Sequence, residues 1–236
     1  MDDGAETGRA AMTLPGFTVR HLGREGQPLV IIDDFAPDPD ALRAAAAAAR
    51  FGPAHHHYPG IRAPLPASYM PSQQSIIRTA LRDIFGHQGE ADVIDASFSI
   101  VTTPPAELTI SQRLPHCDAF AVERIALLHY LAPESGEGTA FYRHRSTGFE
   151  TIDAARTPIY FDQLDAELRY RGVPPATYIA GDTNLFEQTM LVEARYNRAL
   201  LYRSYLLHSG AIAPESPLSP DPSTGRLTIT GFLSAG

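Results

Sequence analysis

The sequence predicts a mainly β fold, a sandwich or barrel of short strands behind an N-terminal helical layer. Three observations carry this. From about residue 93 apolar and polar residues alternate at period two, in short runs separated by turn residues. Twenty prolines and eighteen glycines punctuate the chain and favour many short elements over a helical bundle. Hydrophobic residues make up 44% and charged residues 19%, which supplies a sizeable core and excludes disorder as a description of the whole chain. Barrels and sandwiches of 236 residues are commonly one domain. Residues 1–92 are expected to form the strand and helical layer of that domain, and 93–236 its β core.

The elements follow in order. Residues 1–15 read as a loose lead-in and 16–20 as a short strand. Leu29-Val30-Ile31-Ile32 is a β-branched run, the mark of a buried strand. Asp38 caps a helix from Pro39 to Arg50, where proline suits the first turn and the alanine run Ala44–Ala49 favours helix. Residues 52–72 read as irregular. A second helix is expected from Ser72 to Phe85, with Ile76, Ile77, Ala80, Leu81 and Ile84 on one face and Gly86 closing it. Strands are expected at 95–102, 108–112, 125–131, 138–142, 177–180, 184–193, 198–203, 206–212 and 226–234, with a helix near 160–171. Residues 214–225 are a proline-rich loop.

The formal charge is −8, from 19 basic and 27 acidic residues, with no run of Lys or Arg. That argues against nucleic acid or an anionic membrane as partner. Cys117 is the sole cysteine, so no intrachain disulfide forms and a reducing compartment fits. The N-terminus lacks the basic start and apolar core of a signal peptide. No apolar stretch approaches the roughly 20 residues of a membrane span. The expectation is a cytoplasmic protein. The apolar strands are compatible with a closed monomer and with a homodimer edge.

Leu114-Pro115-His116-Cys117-Asp118 is the sharpest feature. In a strand, residues i and i+2 share a face, so His116 and Asp118 can share one metal ion while Cys117 points away as a packed thiol. His208, at the end of the apolar run Ala199–Leu207, is the candidate third ligand. Two histidines and a carboxylate on one side of iron(II) leave three positions open for an oxo-acid and dioxygen. The alternative for H-x-D alone is a chance pair, and for His208 a core histidine.

In Arg226-Leu227-Thr228-Ile229-Thr230 the arginine and both threonines share a face. A cation in a partly buried strand is costly unless paired. A dicarboxylate co-substrate supplies the pair, held bidentately by Arg226, with Thr228 one pleat along donating its hydroxyl. The competing reading is a rim arginine reaching to water.

The order H-x-D, the strand ending in Tyr130-Leu131, Gly136-Glu137-Gly138-Thr139-Ala140-Phe141, Asn197-Arg198-Ala199-Leu200-Leu201-Tyr202, His208 and Arg226–Thr230 resembles prolyl-hydroxylase-like members of the iron(II)/2-oxoglutarate oxygenase superfamily. The match covers roughly 95–236, and Val30-Ile31-Ile32-Asp33-Asp34-Phe35 is similar to the lead-in of that group. Within it the chain looks most like a bacterial branch sharing Tyr58-Pro59-Gly60 and Leu65-Pro66. The resemblance implies a double-stranded β-helix (jelly-roll or cupin-like). It implies Fe(II) on His116, Asp118 and His208, and 2-oxoglutarate with its distal carboxylate on Arg226, assisted by Tyr130 and Thr228. The reaction it implies is hydroxylation of a small molecule or peptide with release of succinate and CO2. The proline-rich insertion between His208 and Arg226 departs from many relatives.

Other features are secondary. His55-His56-His57 reads as a solvent-exposed or substrate-facing loop rather than a metal site. The Tyr58–Tyr69 segment either lies over the barrel mouth or packs on the helical layer. Arg143, His144 and Arg145 read as a solvated turn, with a face toward an acidic or polar substrate as the alternative. No G-x-S-x-G, P-loop or G-x-G-x-x-G is present. Two rivals remain: a cupin-like metalloenzyme that does not use 2-oxoglutarate, and a non-catalytic β-sandwich binding module.

Overall fold

A computed structural model describes residues 12–14, 16–54, 58–89, 91–133, 138–216 and 218–234. In chain order these form β1 (Met12–Leu14), β2 (Phe17–Leu22), β3 (Gln27–Ile32), α1 (Pro39–Ala48), β4 (Gly52–Pro53), β5 (Gly60–Pro64), α2 (Tyr69–Asp83), β6 (Asp92–Val101), β7 (Arg124–Tyr130), β8 (Gly138–His144), α3 (Thr157–Arg171), β9 (Phe186–Glu193), β10 (Ala199–Arg203), β11 (His208–Ala211) and β12 (Leu227–Ser234). The large sheet runs β1-β2-β3-β10-β7-β12-β6-β5-β4 and the small one β11-β8-β9, every pair antiparallel. His116 adds a single bridge to the open edge of β11. From β7 to β12 the chain passes back and forth between the two sheets.

Alternation decides the layers. In β12, Leu227, Ile229 and Leu233 turn outward and join Ile100, Ile125, Leu127 and Leu201 against Ala46 of α1 and Ile77, Ala80 and Leu81 of α2. Burying each such aliphatic side chain stabilises the fold by about 1.5–3 kcal/mol. The opposite face of the large sheet, with Tyr130, Leu200 and Tyr202, packs on Phe141 and Val192 of the small sheet. The outer face of the small sheet, with Ala140, Tyr142 and Phe186, is covered by Tyr160 and Leu164 of α3. No helix among the described residues is long and apolar enough to cross a membrane.

Local signals hold where they are strong. The Asp38 carboxylate accepts from Ala41 N–H at 2.9 Å, capping α1 as expected, although α1 ends two residues early, at Ala48. Four expectations need correction. Residues 108–112 are no strand: Ile110–Arg113 is a 3-10 turn, held by a capping box between Thr109 and Gln112. Residues 177–180 are irregular; Tyr178 and Ile179 are apolar because they are buried, and the Tyr178 hydroxyl donates to the Thr103 carbonyl at 2.7 Å. Residues 52–72 are not wholly irregular, since β5 extends the large sheet along β6 and α2 begins at Tyr69, ahead of Ser72. Residues 12–14 of the lead-in pair with β2.

Candidate metal centre

His116 and His208 stand directly opposite each other. Each backbone N–H donates to the other's carbonyl at 2.9 Å, the pattern of a hydrogen-bonded antiparallel pair, whose side chains share a face. Their ring centroids are 4.6 Å apart. The segment around His116 is not a regular strand, but its backbone is extended enough to keep the i, i+2 phase. Asp118 N–H donates to the Ser204 carbonyl at 2.8 Å, which turns its carboxylate toward the two rings. Asp118 Oδ1 lies 3.7 Å from His116 Nε2, and Oδ2 lies 3.4 Å from His208 Nε2. One ligand atom of each residue falls within 4.8 Å of the others.

Those separations are too long for good N–H···O hydrogen bonds. They are close to the spacing of atoms that share an ion: ligands roughly 2.1 Å from a metal and at right angles are about 3 Å apart. The tautomer agrees. His208 Nδ1 lies 2.9 Å from the Leu206 carbonyl. A carbonyl only accepts, so Nδ1 carries the proton and Nε2 presents its lone pair. Two imidazole nitrogens and one carboxylate fit a divalent first-row metal with one face of the ion left open. Side-chain exposure grades from 8% at His208 through 18% at Asp118 to 51% at His116, so the site is anchored inside and opens at His116.

Aromatic residues back the inner side. The His208 ring lies 5.0 Å from Tyr202 and 6.3 Å from Phe141, which contact each other edge to face. Burial raises the Tyr202 hydroxyl well above its ordinary pKa, and the charge of Asp118 and the nearby Tyr130 add to this, so it stays a neutral phenol. Cys117 faces the other way, into the α3 layer, and burial pushes its thiol up to about 12. It is a packed thiol, not a nucleophile.

A second cluster lies on the inner face of the large sheet. Thr228 pairs in register with Tyr130 on one side and Ser99 on the other. Arg226, just ahead of β12, has Tyr130 and Tyr58 as neighbours, and burial lowers its pKa while both phenols oppose that. The Tyr130 hydroxyl and Thr139 Oγ1 are 2.7 Å apart. The structure therefore gathers Arg226, Tyr130 and Thr228. The Thr228 hydroxyl donates to the Ser99 carbonyl at 3.2 Å. Tyr58, the first residue of the segment read as either covering the barrel mouth or packing on the helical layer, lies near Thr228, Ser99 and Arg226. Tyr202 feels both Asp118 and Tyr130, and so sits between the two clusters. Neither Tyr58 nor Tyr202 carries a local signal beyond its place beside a motif.

The remaining candidates separate from the site. Arg143 and His144 are buried, not solvated. Arg143 pairs with Glu150 at 3.0 Å, and His144 Nε2 with Glu167 of α3 at 2.8 Å, because both lie on the covered part of β8. Only Arg145 is exposed, beside Asp182 at 2.9 Å. His55, His56 and His57 lie outside the described residues. Of the Tyr58–Tyr69 segment, Tyr69 packs in the helix layer while Tyr58 turns to the inner cluster. Surface cavities of about 440 and 240 Å³ flank α2, and no residue of the triad lines either.

A family model described as "Family of unknown function (DUF6445)" matches residues 14–233. The chain belongs to this family. No curated protein matches the sequence. Among solved structures, iron-bound HygX from Streptomyces hygroscopicus is similar at 13% identity and a TM-score of 0.46, over 91% of this chain and 87% of that one. An N-substituted L-amino acid dioxygenase from Burkholderia ambifaria is similar at 13% identity and a TM-score of 0.44, over 89% and 83%. An oxidoreductase of the 2OG-Fe(II) oxygenase family from Burkholderia pseudomallei is similar at 13% identity and a TM-score of 0.40, over 88% and 84%.

Proposed function

We propose that this chain is an iron(II)- and 2-oxoglutarate-dependent dioxygenase on a double-stranded β-helix with an N-terminal helical layer. The observation that carries the reading is the pairing of His116 with His208 around Asp118, with the Nδ1 bond to Leu206 selecting the His208 tautomer whose Nε2 lone pair faces the triad. His116 Nε2, the Asp118 carboxylate and His208 Nε2 hold the metal. Iron supplies the activation of dioxygen, which the side chains themselves do not. Arg226 receives the distal carboxylate of 2-oxoglutarate, and Tyr130 lies beside it. Phe141 and Tyr202 wall the inner side of the triad and keep water from it. The balanced reaction is substrate, 2-oxoglutarate and dioxygen to hydroxylated substrate, succinate and CO2. Its substrate is a small molecule or peptide, and its compartment the cytoplasm.

The test is anaerobic titration of the iron(II)-loaded protein with 2-oxoglutarate, followed by visible absorption. Chelation of iron(II) by the oxo-acid gives a weak charge-transfer band in this reading. Iron bound at one per chain without a band favours the cupin-like metalloenzyme. Absence of stoichiometric iron binding leaves a binding module and sinks the proposal.

A further inference from the structure

The inner face of the large sheet changes character along each row of side chains. Tyr202, Ala126, Phe232 and Asp95 stand in one register across β10, β7, β12 and β6. Leu200, Leu128, Thr230, Ser97 and Pro64 form the next row, ending on β5. At the β10 and β7 end these rows pack on Phe141 and Val192 of the small sheet. At the β6 and β5 end they turn polar: Ser97 and Thr230 are half-buried and Asp95 is exposed. Arg62 of β5, in register with Ser99, lies on the same face. The facing surfaces of two packed sheets are ordinarily apolar, so a polar strip there is the informative departure.

Arg62 is incompletely satisfied. Its guanidinium lies 4.8 Å over the Tyr58 ring, and its side chain keeps only 22% exposure. Its Nε is buried with no hydrogen-bond partner among the described residues. The Asp95 carboxylate is its acidic neighbour, with Oδ2 3.5 Å from Nη1, too long for a good N–H···O bond. A partly buried guanidinium whose Nε has no acceptor is a site for an anion. The two side chains thus present a donor fork and a carboxylate side by side. An α-amino acid carries the complementary pair, its ammonium nitrogen and nearer carboxylate oxygen roughly 3 Å apart. A ligand with one charge would meet a like charge here as well as an opposite one, whereas a zwitterion matches both. Asp95 stands three strands from Tyr202, roughly 14 Å at the ordinary strand spacing. The Tyr202 ring is 5.0 Å from His208, so the pair and the triad are within reach of one extended small molecule.

We propose that Arg62 and Asp95 anchor the primary substrate, and that this substrate is a free α-amino acid. Its carboxylate lies on Arg62, its ammonium group on Asp95, and its side chain runs along the polar strip toward the triad. This rests on the oxygenase reading above, and Arg226 is left to the co-substrate.

The experiment is anaerobic calorimetric titration of the iron(II) protein, saturated with 2-oxoglutarate, with each of the twenty common L-amino acids. The tightest is then compared with its carboxamide and its N-acetyl derivative, each of which removes one charge. Loss of a hydrogen bond to a charged group weakens binding about 10-fold or more. The expected result is stoichiometric binding of at least one amino acid, with both derivatives weaker by about that factor. Arg62→Met should erase the preference over the carboxamide, and Asp95→Asn the preference over the N-acetyl form. Both variants should keep the wild-type affinity for 2-oxoglutarate, read from the charge-transfer band. If no amino acid binds, if the neutralised forms bind as well, or if the preferences survive the substitutions, the inference is wrong and the oxygenase reading stands. If Arg62→Met weakens 2-oxoglutarate binding instead, Arg62 belongs to the co-substrate pocket and the inference is overturned. If the wild type gives no charge-transfer band, the reading and the inference fall together. Should Arg62→Met prove unstable, Asp95→Asn, at an exposed position, carries the test, and a retained preference for the free amine overturns the proposal.

Discussion

Two histidine clusters sit on opposite sides of the large sheet, and they differ in how complete they are. On the helix side His129 is fully buried, with the Tyr69 hydroxyl 3.1 Å from Nδ1 and Asn197 Oδ1 3.0 Å from Nε2. Asn197 Oδ1 also accepts from Ala36 N–H at 2.8 Å, and its amide donates to the Ala36 carbonyl at 2.9 Å. Nε2 is thus the donor and Nδ1 the acceptor of Tyr69, so every polar atom of this histidine has a partner. On the inner side His208 has one nitrogen satisfied and the other turned toward Asp118 and His116 at distances that fit a shared ion better than a hydrogen bond. A closed network specifies and rigidifies a core; an open one, with lone pairs converging on a point, is built for something that arrives later.

The comparison is broken most sharply by removing His208. His208→Ala is expected to weaken iron(II) binding more than the roughly 10–100-fold that follows loss of an outer partner of a ligand. The fold should persist, so far-ultraviolet circular dichroism and metal titration read the two effects apart. Tight stoichiometric iron in the variant refutes the triad.

The closed cluster should respond to acid instead. Burial holds His129 at about 4, against an ordinary 6.5. The folded state therefore binds fewer protons than the unfolded one between these values. The contribution is fully present above about pH 6.5 and is lost as pH falls toward 4, by about 3 kcal/mol in all. Urea denaturation at pH 7.5 and 4.5 measures it, and in His129→Gln this part of the acid loss should vanish. An acid loss equal to the wild type's in that variant removes His129 as its source.

Asn197→Ala is expected to destabilise by about 2–3 kcal/mol. It strands Ala36 N–H and the His129 donor, and it puts alanine at a backbone angle of +60° that asparagine tolerates better. Iron should still bind within a few-fold of the wild type, since Asn197 lies behind the sheet. The smallest effect belongs to Cys117. A thiol held at about 12 should react slowly with a thiol reagent at pH 8 in the native protein and rapidly after unfolding. Fast native labelling argues against its packed position.

Much of this was legible in the chain. The period of two in Leu227–Leu233 set which residues of β12 face the helices and which face inward, because side chains of a strand alternate whatever it pairs with. Asp38 ahead of Pro39 marked a helix start because a cap is a contact between neighbours in sequence. His116 and Asp118 shared a face for the same local reason. Where the pattern was short and apolar, as at 108–112 and 177–180, burial in a turn gave the same composition as a strand. Arg143 and His144 looked exposed because their acid partners, Glu150 and Glu167, are set by how α3 and its lead-in pack, not by sequence spacing alone.

By itself, then, the sequence determined the elements with strong local signals, their faces and the residue types able to hold a divalent metal. Only the tertiary structure decided that His208 pairs with His116 rather than a neighbour. It also decided that the Leu206 carbonyl fixes the tautomer of His208. Propensity, capping and alternation act over a few residues and can be read along the chain. Register between distant strands is chosen by closure of the two sheets over one core, and no stretch of sequence states it alone.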